Sequence, residues 1–71
     1  MFPVEIGKEY DVHHSRKGTF RIRVNDLSDS MIDATITQGK ARYVSEPDRG
    51  PGDHICLDRN FPGLVLTSVD V

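Results

Sequence analysis

Apolar and polar residues alternate with period two along the first half of this chain. Between Glu9 and His14, Tyr10 and Val12 fall on one side and Glu9, Asp11 and His13 on the other. From Thr19 to Asn25, Phe20, Ile22 and Val24 oppose Thr19, Arg21, Arg23 and Asn25. From Ile32 to Thr37, Ile32, Ala34 and Ile36 alternate with Asp33, Thr35 and Thr37. This pattern predicts three half-buried strands with their apolar sides turned inward. No stretch places apolar residues at the i, i+3, i+4 and i+7 positions of an amphipathic helix.

The intervening segments predict hairpins. Ser15-Arg16-Lys17-Gly18 is short and ends in glycine, which suits a type I turn followed by a left-handed residue. Asp26-Leu27-Ser28-Asp29-Ser30 reads as a longer turn rich in Asx and Ser. Charge gives a test of register. Pairing Val12 with Phe20 sets Asp11 against Arg21 and Glu9 against Arg23; a shift of two sets Asp11 against Arg23. In the second hairpin, Val24 facing Ile32 would bring Ile22 to Ala34, Phe20 to Ile36 and Arg23 to Asp33. Acids meet arginines on the outer face in each case.

The second half is less regular. Gly39 ends or bends the third strand, and 41–45 is either its continuation or a fourth strand. Glu46 to Asp53, EPDRGPGD, holds two prolines and two glycines and must be a loop, either a binding element or a flexible connector. His54 to Asp58 predicts a strand with Ile55 and Leu57 inward. Phe61-Pro62-Gly63 predicts a tight turn, with Phe61 plugging the barrel end, and Leu64 to Val69 a last strand of ambiguous face.

A three-stranded meander, five to six antiparallel strands in all and a tight turn before the last one predict an all-β fold that resembles the SH3-like barrels. An OB-fold is the nearest competitor, but it implies a helix where 39–53 offers a poor one. The opening, Gly7-Lys8-Glu9-Tyr10-Asp11-Val12-His13-His14-Ser15-Arg16-Lys17-Gly18-Thr19-Phe20, resembles that of short phage and prophage proteins. The resemblance implies an origin and no particular mechanism.

Length and composition narrow the function classes. A chain of 71 residues is a single domain, 1–71, and one this small buries only about 60% of its unfolded surface. A large internal active-site cavity does not fit such a core. Nine basic and eleven acidic residues give a net charge of −2, which argues against a general polyanion binder. The one cysteine, Cys56, forms no internal disulfide. Met1-Phe2-Pro3-Val4-Glu5 lacks the basic and apolar regions of a leader, and no apolar run approaches the roughly 20 residues of a membrane span. A cytoplasmic protein without membrane attachment is expected.

Candidate chemistry is sparse. His13 and His14 are neighbours on a strand, so their rings point to opposite faces; His14 would cap the core side beside the turn. His54, Cys56 and Asp58 share a strand face, but the first and last lie about 13 Å apart on an extended strand, too far for one ion. His54 and Cys56 lie roughly 6.5–7 Å apart by Cα, so neither a metal site nor nucleophilic catalysis is expected. No cofactor motif is present. Basic residues do gather: Arg16 and Lys17 at the first hairpin tip, Lys40 and Arg42 beside Tyr43, and Arg49 in the Pro-Gly loop. Glu46, Asp48 and Asp53 are interleaved with them. The expected function is that of a small non-catalytic protein-interaction or adaptor module, phage- or prophage-derived, with these six residues as its binding rim. A nucleic-acid-binding barrel using the same rim is the alternative. Weak self-association through an edge strand is also expected.

Overall fold

Five antiparallel strands form in the computed structural model, which describes residues 4–69. They are β1 (Glu9–His14), β2 (Gly18–Leu27), β3 (Met31–Gly39), β4 (His54–Asp58) and β5 (Leu64–Ser68). All belong to one sheet in the order β4-β3-β2-β1-β5, and no helix occurs among the described residues. The fold is all-β, with the meander β1-β2-β3 at its centre and one later strand added to each side. Met1, Phe2 and Pro3, on which part of the leader argument rests, lie outside the described residues.

The predicted inner face is the core. Tyr10 and Val12 of β1, Phe20, Ile22 and Val24 of β2, Ile32, Ala34 and Ile36 of β3, and Ile55 and Leu57 of β4 are all buried in one cluster. Val4 and Ala41 join from outside the strands. Leu64 and Leu66 are half-buried against the cluster while Val65 is exposed, which settles the face of β5.

The first hairpin takes the register in which Val12 faces Phe20, Asp11 faces Arg21 and Glu9 faces Arg23. Arg21 Nε donates to Asp11 Oδ1 at 2.9 Å. Its turn spans Ser15 to Lys17 and ends on Gly18 at φ +89°, the left-handed conformation expected there.

The second hairpin differs from expectation by two residues. Ile22 faces Ile36 and Val24 faces Ala34, so Arg23 lies opposite Thr35 and not opposite Asp33. The cause is the length of β2. It continues to Leu27, which pairs with Ile32, and the turn shrinks to three residues closed by Ser28 and Met31. A bulge between Val24 and Asp26 absorbs Asn25 and lets Leu27 reach the core side despite the parity of the sequence. Asp26 then stands opposite Asp33.

A second irregularity absorbs Thr37 on β3, between the pairs Arg21↔Gln38 and Ile22↔Ile36. Such bulges increase local twist and bend the sheet. Gly39 ends β3 at φ +79°, opposite Phe20. A Cβ there would stand 3.1 Å from Phe20 Cα, so both backbone conformation and space require glycine. The result is a small, barrel-like curl. The end of β1 and the middle of β4, separated in the sheet by two strands, line a common cleft.

The segment 40–53 contains no strand, contrary to both readings of 41–45. A single bridge joins Ala41 to Arg49 through N–H···O bonds of 2.8 and 3.0 Å. The loop returns to the sheet where the Gly52 N–H donates to Ile36 O and the Ile36 N–H donates to Asp53 O. EPDRGPGD is therefore a pinned loop, and the arc that leads into it carries the fully exposed Val44.

Ile36, fully buried at the centre of β3, should show the ordinary cost of core truncation. Ile36→Val is expected to destabilise the fold by about 0.5–1.5 kcal/mol in chemical denaturation, and Val44→Ser to change it by less than about 0.5 kcal/mol.

Candidate functional site

The hairpin tip between β1 and β2 is held by a histidine. His14 Nδ1 accepts the backbone N–H groups of both Arg16 and Lys17 at 3.1 Å. This geometry requires an unprotonated Nδ1. Partial burial, followed by the charges of Lys17 and Arg16, holds the His14 pKa below its usual 6.5. The ring stacks on Phe61, with centroids 4.6 Å apart and planes 8° from parallel. Phe61 is half-buried on this tip and does not plug the barrel, because its own turn is tied to the hairpin: Ser15 N–H donates to Gly63 O at 3.0 Å. The Arg16 guanidinium lies over the Phe61 ring at 5.7 Å. His13 points outward, near Thr19.

The sequence-predicted rim gathers around this tip. Arg42 N–H donates to Lys17 O at 2.9 Å, which ties the chain after Gly39 to the hairpin. The Arg42 guanidinium packs over Gly18. Lys17 Nζ and the Arg49 guanidinium lie 4.8 and 4.4 Å from the centre of the Tyr43 ring. Burial keeps the Tyr43 hydroxyl above its usual pKa of 10.0, so the ring stays neutral beside them. Lys40 runs alongside Gly50 in the same loop. Glu46 pairs with Arg49 at 3.4 Å, and Asp53 turns back to accept the Gly50 N–H. Two of the three interleaved acids thus have local partners.

A cleft of about 260 Å³ opens beside the rim. Arg16 and Lys17 stand on one side, Phe61 and Met31 supply apolar surface over the buried Leu57, and Cys56 and Asp58 face from β4. The cations and Tyr43 were expected at this surface from sequence; Phe61 and His14 were not. The signal was Ser15 and Gly63, small residues where two turns meet, which no local pattern marks.

The outer face of β3 and β4 carries a second cluster. Cross-strand pairing sets Asp33 opposite Cys56 and Thr35 opposite His54. His54 Nε2 contacts Asp33 Oδ1, and a ligating atom from each of Asp33, His54 and Cys56 lies within 4.8 Å of the others. Asp58, grouped with His54 and Cys56 from sequence, takes no part; its Oδ1 accepts the Asn60 N–H. The third member comes from the adjacent strand.

Comparison with protein-family models, curated proteins and solved structures returned no match. No helix among the described residues is long and apolar enough to cross a membrane.

Because its folded pKa is depressed, His14 contributes stability that is present above about 6.5 and lost as pH falls through the lowered folded value. Stability measured by denaturation should therefore decline between about pH 7.5 and 5. In His14→Asn, whose side chain keeps an acceptor without titrating, the decline should be smaller. Asp11, whose carboxyl is held below its usual 3.8 chiefly by the Arg21 hydrogen bond, loses its contribution only in more acid solution.

Proposed function

We propose that this protein is a small non-catalytic interaction module that binds an acidic peptide segment of a protein partner along the basic rim and its cleft. One observation carries the reading: Arg16, Lys17, Arg42, Tyr43 and Arg49, scattered over 34 positions of sequence, gather at the hairpin tip, where Arg16 and Lys17 line the cleft. Cations placed beside apolar surface suit a peptide with a carboxylate next to an aliphatic or aromatic anchor.

Nucleic acid is the second reading, supported by the same gathering of cations around an aromatic. It is the weaker one on two physical grounds. Both rings are already in use, Tyr43 under Lys17 and Arg49 and Phe61 between His14 and Arg16, so a base would have to displace a cation to stack. The net charge of −2 also opposes a polyanion at long range.

The setting follows from the resemblance of 7–20 to phage and prophage proteins: a phage-derived module acting in the cytoplasm of the host cell. The edges add a subsidiary contact. β5, Leu-Val-Leu-Thr-Ser, is an outer strand without charge or proline and with Val65 exposed, which favours weak self-association by strand addition.

Selection of a random peptide library on the intact protein should enrich sequences that combine acidic and bulky apolar residues. Those peptides should bind Arg16→Glu/Lys17→Glu at least about tenfold more weakly. Retention of single-stranded oligonucleotides with steep salt dependence, and no peptide enrichment, would favour the second reading.

A further inference from the structure

We propose that Asp33, His54 and Cys56 form an open three-ligand site for a divalent cation of the zinc class. The site lies on the outer face of β3 and β4, where Cys56 also borders the cleft beside the rim; its ligand chemistry does not rest on the binding function proposed above.

Register is the first support. Asp33 and Cys56 are direct cross-strand partners, and His54 lies two residues from Cys56 on the same face. Opposed side chains on adjacent strands start about 5 Å apart at Cβ, so three ligands arranged in an L can converge on one point above the sheet. Their ligating atoms already lie within 4.8 Å of one another. Tetrahedral zinc, with bonds of about 2.0–2.3 Å, needs ligand atoms roughly 3.3–3.8 Å apart. Small rotations of side chains at the surface close that difference; His54 and Cys56 are exposed and Asp33 half-buried.

Ligand chemistry is the second support. A thiolate, an imidazole and a carboxylate together suit a borderline-soft divalent ion, whereas magnesium and calcium favour oxygen alone. Three protein ligands leave a fourth position for water, which an outward-facing site can supply.

Local charge is the third. The two-residue register change removes Arg23 from opposite Asp33 and puts Asp26 there. Two carboxylates directly opposed across strands repel. A dication at Asp33 offsets that repulsion, and the contact between Asp33 and His54 leaves both side chains oriented toward the same point. On binding, the Cys56 thiol releases its proton to solvent as the metal–sulfur bond forms, so affinity rises with pH.

The test uses the intact, metal-free protein and cobalt(II) and zinc(II) salts as probes. Cobalt should produce a thiolate-to-cobalt charge-transfer absorption that saturates at equimolar metal and disappears in Cys56→Ser. Zinc should slow alkylation of the chain's single cysteine. Asp33→Asn and His54→Ala should each weaken zinc binding at least about tenfold, and His13→Ala should leave it unchanged. Circular dichroism and thermal melting of each metal-free variant check that the fold persists, as expected for substitutions on an outer face. Absence of the charge-transfer band overturns the proposal. So does zinc binding of unchanged strength in both Asp33→Asn and His54→Ala, because the thiol would then be acting alone.

Discussion

The pairing of β2 with β3 is the constraint on which the remaining structure depends. β2 is flanked on both sides, and its inward row of Phe20, Ile22 and Val24 has to meet the inward rows of β1 and β3 together. Burial fixes that meeting, since a slip of one residue would turn a strand's apolar set outward. A slip of two keeps every apolar side chain inside. The choice between the two permitted registers therefore falls to the turn and the bulges. The three-residue turn at 28–30 and the extra residues Asn25 and Thr37 select it. The curl that brings the β1 end to face β4 follows from those same irregularities.

Both candidate surfaces inherit this choice. At the hairpin end, the bend at Gly39 directs the chain back so that Arg42 bonds to Lys17 and Tyr43 comes between Lys17 and Arg49. On the outer face, the same register leaves Asp33 without an arginine opposite, while the β3–β4 pairing places it by His54 and Cys56. The two surfaces differ in character. The rim is cationic with apolar walls, and the β3–β4 face collects carboxylates, an imidazole and a thiol. A small chain with a near-neutral total charge thus separates its charges in space, a distinction that net charge conceals.

The strands and their inward faces were legible because alternation is a local signal, and β1 to β4 bury the residues it names. The first hairpin register was legible only to within two residues, since either pairing sets Asp11 against an arginine; the chain takes the one with Arg21. What stayed hidden needed information from a distance. Charge pairing of Arg23 with Asp33 was a sensible expectation, but β2 runs on to Leu27 and shortens the turn, which moves the register by two. The cations expected from sequence do gather at the hairpin tip, yet Phe61 and His14 meet there through two turns that touch at Ser15 and Gly63, 48 residues apart in sequence. Asp33 joined the His54–Cys56 pair only through strand pairing, which a search along one strand does not consider.

β5 closes the sheet against β1, although most of the chain lies between them: His14 pairs with Leu64. Each doubling of such a loop costs only about 0.6 kcal/mol in closure entropy, so the distance is thermodynamically mild. Kinetically it is the opposite. The meander can assemble from neighbours, whereas β5 must wait for the β2–β3 turn, the pinned 40–53 segment and the turn at Phe61 to be in place. The last strand to dock is also the natural first to leave. Its departure would bare the β1 edge and, through Ser15 and Gly63, loosen the hairpin tip, so the cationic rim and the outer edge of the sheet share one point of release.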